Sequence, residues 1–382
     1  MEQPRGGIGW GLLLLVVTCW SSFSVQAAEP VKLAAIFAKT GEAVVVRDGV
    51  RPEFAAVEIA VAQLNRDGGL LGHPIKVLEY DNKSSALGAK LAAEEAVKAG
   101  VIAVIGATRS SHSLGMAPVL EAAGIPMISP ISTNPQLTRV GEYIFRVCFI
   151  DDFQGEVMAA FAVRDLGAKT AVVLTNASEK FSLGLSALFI EKFGKLGGTM
   201  LWEGDYLGDS VDFSAQVNKL QQLAPDVCFV PGYDNDVGYL LKQSRERGLK
   251  TVFLSGDGLT QDLYNYAGAA ASGVYVVDHW HEQSETRQSE RFKALYTEAV
   301  TSAIDSAAPL TYDAVMLLAD AVGRAKSLAP REIRKALAET RDFPGATGTI
   351  NFDDNRNPVN KSAVILRFGE SGKHFVKTID PQ

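Results

Sequence analysis

Two periodicities alternate along this chain. Short, nearly unbroken apolar runs, as expected of strands covered on both faces, are followed by stretches whose apolar residues recur every three or four positions. The run VKLAAIF (31–37) reads as a strand, and Pro52 to Asn65 as a helix with Phe54, Val57, Val61 and Leu64 on one side. Next come a strand IKVLEY (75–80), an Ala-rich helix Ala86 to Ala99, a strand 101–105, a helix Ser111 to Ala123 and a strand PMIS (126–129). Gly68, Gly69, Gly100 and Gly124 sit where these units must stop or turn.

The pattern then restarts. Helices are predicted over Phe153 to Leu166, Leu183 to Leu196, Phe213 to Leu223 and Asp236 to Arg247, with strands at 169–176, 199–206, 226–232 and 251–256 between and after them. Alternating elements with doubly buried strands imply parallel sheets covered by helices, so the expected fold class is α/β: two doubly wound parallel-sheet lobes. The last third differs, with helices over Ser289 to Ala303, Thr311 to Ala325 and Pro330 to Glu339, then a hairpin-like tail. No Pro- or Ser-rich linker separates the pieces, so the lobes are expected to be joined by crossing strands that act as a hinge.

Composition adds modest limits. The 382 residues are 47% hydrophobic and 21% charged, which suits two cores, and a formal charge of −7 without a basic stripe disfavours nucleic acid. Residues 1–27 read as a secretory signal: Arg5, an apolar run from Trp10 to Val17, and a cleavage site at Val25-Gln26-Ala27. That apolar run is shorter than the roughly 20 residues a bilayer requires. A lipid-modified Cys19 is the weaker alternative, with Thr18 a poor neighbour for it. Cys148 and Cys228 lie in apolar runs and read as buried free thiols, a bridge between them being the other option.

In such sheets ligands bind beyond the carboxyl ends of the strands. Three loops there are polar. In GATRSSHS (106–113), Ser110 and Ser111 are good N-cap residues for a helix whose N-terminus would also attract an anion. In SPISTNPQLT (129–138), Thr133 offers a hydroxyl and a backbone N–H ahead of a turn. In FLSGDGLTQ (253–261), Asp257 lies between glycines; as a dinucleotide fingerprint the stretch lacks its third small residue, and the carboxylate would repel a pyrophosphate.

His279 and His281 would project to one side of a strand, but no further His or Cys completes a metal set, so they read as polar residues near a crossover. FDDNRNPV (352–359) has Pro358 where a calcium loop needs glycine and reads as a hairpin turn. No nucleophile elbow, phosphate loop or His-Glu-x-x-His helix occurs, which removes the common hydrolases and kinases. No catalytic residue, metal or cofactor is assigned.

From Val31 onward the chain resembles the periplasmic leucine/isoleucine/valine-binding proteins, the type I solute receptors of branched-chain amino-acid ABC transporters. The resemblance rests on LNRDGGLLG (64–72), VIGATRSSHS (104–113), PMISPISTNPQLT (126–138), FR (145–146), QG (154–155) and GYDNDVGYLLKQSRERGL (232–249). It implies lobe 1 from 28–150 plus 281–362, and lobe 2 from 151–280 plus 363–382. It further implies that Ser110 and Thr133 hold a ligand α-carboxylate, that Asp257, where glutamate is usual, takes the α-ammonium, and that Phe181, where tyrosine is usual, and Tyr233 cover the ligand.

Ser84 and Arg109 stand where some relatives have a disulfide pair. Arg109, beside Ser110 and Ser111, either biases the pocket toward extra negative charge or an aromatic acid, or turns to solvent. The expected function is capture of an amino acid between two lobes and delivery to the membrane permease subunits of an ABC transporter, by a periplasmic monomer that is not an enzyme and has no nucleic-acid partner. The rival ligands are an aromatic carboxylate, an amide or a urea. The rival classes are a nicotinamide-dependent dehydrogenase and a sugar-responsive regulator, the latter lacking a DNA-binding segment at its N-terminus.

Overall fold

The computed structural model describes residues 1–2, 28–301 and 303–381; most of the predicted signal, with Cys19, lies outside them. The chain first lays down β1 (Val31–Phe37), α1 (Pro52–Arg66), β2 (Ile75–Asp81), α2 (Ala86–Lys98), β3 (Ala103–Gly106), α3 (Ser110–Ala123), β4 (Met127–Ser129) and β5 (Ile144–Arg146). These strands form one parallel sheet in the order β2-β1-β3-β4-β5.

Burial explains the uninterrupted apolar runs. Along β1, Leu33, Ala35 and Phe37 enter one core while Ala34 and Ile36 enter the core on the opposite face. Helix starts follow local rules: α1 opens on Pro52, and α2 is capped by Ser85, whose side chain accepts the Gly88 amide. Gly106 ends β3 because a side chain there would meet the Ile36 carbonyl at 2.2 Å, on a backbone with φ of 142°.

The second sheet repeats the winding. The elements are α4 (Asp151–Ala160), β6 (Thr170–Asn176), α5 (Lys180–Lys195), β7 (Thr199–Tyr206), α6 (Ser214–Leu223), β8 (Val227–Phe229), α7 (Asp234–Glu246), β9 (Val252–Ser255), α8 (Leu263–Ala267) and β10 (Tyr275–Asp278). Helices α9 (Arg287–Tyr296), α10 (Ala307–Ala325) and α11 (Pro330–Ala338) follow, with α10 packed on α1 in the first core. A small antiparallel sheet of β11 (Phe343–Gly345), β12 (Gly348–Phe352) and β13 (Pro358–Val359) precedes β14 (Ala363–Phe368) and β15 (Lys373–Ile379). The second sheet runs β15-β14-β10-β9-β8-β6-β7, its last two strands in chain order antiparallel.

Both sheets therefore have a reversal of strand order, between β1 and β3 in one and between β6 and β8 in the other. The chain passes between the lobes three times: after β5, after β10 and after β13. Lys361 secures the third crossing by donating to the Val147 carbonyl and the Thr347 hydroxyl.

Several elements depart from the periodicity reading. β5, β10 and α8 are short elements that it omits, and α9 ends at Tyr296 instead of Ala303 because the chain turns to dock the Ile304 amide on Glu282 and the Ser306 hydroxyl on Asp278. α10 begins four residues early, with Pro309 in its first turn, where a missing N–H costs nothing. The predicted helix 153–166 opens at Asp151 and finishes in a wider turn over Phe161–Asp165. Cys148 and Cys228 are buried free thiols. Ser84 bonds to the Thr40 carbonyl, remote in role from Arg109.

Arg146 is fully buried at the end of β5 and donates to the carbonyls of Ser132 and Asn134, at 2.6 and 2.8 Å, pinning the loop that carries Thr133. Arg146→Met should lower unfolding free energy in a urea titration by about 1–3 kcal/mol for each carbonyl left unpaired. A loss under about 1 kcal/mol in total would mean that something else holds the loop.

Candidate functional site

Loops from the carboxyl ends of both sheets face each other and enclose a cavity of about 120 Å³. From the first lobe come Glu42 to Val45 after β1, Glu53 on α1, Thr108 to Ser110 after β3, and Ile131 and Thr133 after β4. From the second come Phe181 on the first turn of α5, Tyr233 to Asn235 after β8, and Asp257, Gly258, Thr260 and Asp262 after β9. Each sheet thus contributes the loops on either side of its strand-order reversal, where doubly wound folds leave a crevice. Gly258 keeps the wall thin, since a side chain there would lie 2.4 Å from the Gly232 carbonyl and against the rings of Phe181 and Tyr233.

Ser110, Thr133, Phe181, Tyr233, Asp257 and Arg109 all line this one cavity. Ser110 is not a cap: Arg109 occupies the N-cap position without a side-chain bond, so Ser110 is the first helical residue. The Ser110 hydroxyl accepts the Asn134 amide at 3.3 Å, joining the two polar loops. Behind it, Ser113, Ser129 and Ser132 form a buried cluster that bonds to the Ala107 carbonyl and amide, which explains the remaining polar residues of this turn. Phe181 and Tyr233 pack with ring centroids 5.8 Å apart.

Of the two readings of Arg109, the structure overturns the solvent-facing one. Arg109 is buried instead of turned to solvent, lies 3.9 Å above the Tyr233 ring, and pairs with Glu42 at 2.8 Å and Glu179 at 3.4 Å. Its charge is therefore engaged before any ligand arrives. Ser111 faces away from the cavity's lining and donates to Glu179 at 2.7 Å. Since Glu179 precedes α5 in the second lobe, these bonds cross the cleft. Arg47 does the same at the other side, reaching Asp262 at 2.6 Å and Thr260 at 3.2 Å while also pairing with Asp305. The lobes are closed on each other.

Carboxyls outnumber cations at the cavity: Glu42, Glu53, Asp234, Asp257 and Asp262 line it with Arg109, while Arg47 pairs with Asp262 from behind. Burial, then the nearby Asp278, push the Asp257 carboxyl up to about 8, against the pull of Gln154 and Lys373. Burial likewise raises Glu53 and Asp234 to about 7. Asp234 is held by the amide and hydroxyl of Thr260.

Sequence reasoning missed Glu53, Asp234 and Thr260. An acid in the first turn of a helix reads as a partner of the helix dipole, and nothing local marks it as facing a cleft. His279, which the sequence places as a polar residue near a crossover, has its Nε2 2.9 Å from Asp257 Oδ2. Among the described residues no cluster of His, Cys, Asp and Glu is arranged to hold a metal, and no helix is long and apolar enough to cross a membrane.

Residues 30–373 match the family model described as periplasmic binding protein. A Leu/Ile/Val-binding protein homolog 1 of Brucella abortus is 31% identical over 323 residues, covering 83% of this chain and 86% of that protein. The solved leucine binding protein LivK of Thermotoga maritima is 34% identical with a TM-score of 0.85, covering 92% of this chain and 99% of that one. The branched-chain amino acid transporter substrate binding protein LivJ of Streptococcus pneumoniae, solved with isoleucine, is 28% identical with a TM-score of 0.85, covering 92% and 100%.

Glu179→Gln should leave the urea midpoint of the ligand-free protein nearly unchanged while weakening the contacts that hold the lobes together. The expected readout is a larger radius of gyration by small-angle scattering. An unchanged radius would show that closure does not depend on the Arg109–Glu179–Ser111 bonds.

Proposed function

The chain belongs to the periplasmic binding protein family, among the Leu/Ile/Val-binding proteins, and from that premise we propose that it captures an α-amino acid with an apolar side chain in this cleft. The observation that carries the reading is the division of chemistry between lobes: hydroxyls and a helix N-terminus on one side, a buried carboxyl on the other, around one cavity.

In this reading the ligand carboxylate meets the Ser110 and Thr133 hydroxyls and the N-terminal amides of α3, which favour an anion. The ammonium meets Asp257. Phe181, Tyr233, Val44, Val45 and Ile131 surround the hydrocarbon. Arg109 is already paired with Glu42 and Glu179, so it has no free charge to offer a second carboxylate, which disfavours a dicarboxylate. No bond is made or broken; the work is conformational. Shifting lobes from mostly open to mostly closed takes about 5 kcal/mol of differential affinity. Charge-assisted bonds of about 1.5–3 kcal/mol at each end of the ligand are of that size.

The lobes, 28–150 with 281–362 and 151–280 with 363–382, move about the three crossings. The exported protein, freed of residues 1–27, acts as a periplasmic monomer and presents its closed form to the membrane permease subunits of an ABC transporter. It needs no cofactor and no nucleic acid.

A protonated Asp257 cannot hold an ammonium as an ion pair, so binding should expel a proton wherever that carboxyl is neutral beforehand. Burial, with Asp278 beside it and only partial relief from Gln154 and Lys373, leaves it at about 8; Asp151 and the neutral His279 also face it. Affinity should therefore rise with pH from 6 to about 8 and level off above it. Calorimetry of leucine, isoleucine and valine with refolded, ligand-stripped protein at pH 7 tests this. At least one should bind, with release of close to one proton shown by different heats in phosphate and Tris. Silence across the amino acids would overturn the reading; equal heats would remove the proton from it.

A further inference from the structure

The chain leaves the second sheet through β10 and crosses to the first lobe at His279. The His279 side chain is fully buried, with its ring tilted 34° against that of Phe149 at a centroid distance of 3.7 Å. Phe149 lies in the crossing that leads from β5 into α4. One face of the imidazole therefore rests on one crossing while its backbone belongs to another, and its Nε2 reaches Asp257 Oδ2 at 2.9 Å.

We propose that His279 is a positioning residue for the ligand's ammonium: it donates Nε2–H to Asp257 Oδ2 and so fixes the orientation of the carboxylate in the cavity wall. This rests on the amino-acid reading above and assigns the second-lobe subsite a partner that does not itself touch ligand.

The contact is a hydrogen bond from a neutral ring and not an ion pair, because burial pushes the imidazole down to about 3. Nδ1 has no partner. With Asp257 ionised, a proton on Nε2 satisfies the carboxylate and leaves Nδ1 as a bare acceptor; the opposite tautomer would orphan a buried N–H and set two lone pairs against each other. The geometry thus favours one tautomer in the ligand-bound state. The Asp257 backbone amide donates to Gln154 Oε1 at 2.9 Å, and the same glutamine side chain also bonds the carboxyl, so His279 is the second side chain that holds it. Asp257 is shorter than a glutamate, and a carboxylate on so short a stem has few ways to find its partner. Tying one oxygen to a crossing strand sets its orientation before ligand arrives.

The test compares leucine with 4-methylpentanoate, which keeps the carboxylate and branched chain but lacks the ammonium. His279→Phe preserves a ring against Phe149 and removes the donor. It should weaken leucine about tenfold or more and change 4-methylpentanoate by less than about twofold. His279→Gln, which retains a donor, should recover most of the leucine affinity. If His279→Phe does not fold, His279→Met fills similar space and should show the same split. Equal losses for both probes, or no loss for either, would overturn the assignment. Asp257→Asn in parallel separates the two levels: if it fails to discriminate the probes, the ammonium reading itself falls and takes this proposal with it. If it discriminates and the His279 variants do not, only the role of His279 falls.

Discussion

A carboxyl group enclosed by protein and placed near a second carboxyl stays protonated unless a cation comes to it. Asp257 is in that position, its side chain buried beside Asp278 and across from hydroxyls of the other lobe. The fold makes this possible. Two sheets with the same winding, each opening a crevice at its strand-order reversal, are set so that the crevices face each other. A ligand lying between them is desolvated on all sides, so each of its charges requires a partner already in place.

Desolvation also explains why the two halves differ chemically. An anion can be met by neutral donors, hydroxyls and helix-end amides, which cost little to bury when they have alternative bonds such as that between Ser110 and the Asn134 amide. A cation has no such neutral counterpart of equal strength and calls for a carboxylate, which is costly to keep ionised without it. Burial raises Asp257, Glu53 and Asp234 in this way, so the ionisation of these three is linked to what occupies the cavity, while Glu42 and Asp262 are already paired with Arg109 and Arg47. The bonds across the cleft rim, from Arg109 and Ser111 to Glu179 and from Arg47 to Asp262, add to closure independently of what lies within.

Much of this was legible before any coordinates. Runs such as VKLAAIF could be read as strands because both faces are buried, and the loops after β3, β4 and β9 could be singled out because polar residues interrupt apolar strand ends. The illegible parts share a cause. α5 and α7 begin at Lys180 and Asp234, earlier than periodicity places them, because their first turns face the cleft and carry residues chosen for the cavity, not for an apolar stripe. Arg109 could not be placed because its partners, Glu42 and Glu179, are 67 and 70 residues away. His279 could be read only as a polar residue near a crossover, because its contact with Asp257 depends on a crossing strand meeting a turn 22 residues upstream.

The central claim is that a single ligand is held by opposite charges from separate lobes. A crystal structure of the protein with the amino acid it binds tests this most directly. The account predicts the α-carboxylate within hydrogen-bond distance of Ser110 and Thr133, and the ammonium within that distance of Asp257, in one closed molecule. A ligand seated against one lobe only, or with Asp257 facing its hydrocarbon, would contradict it.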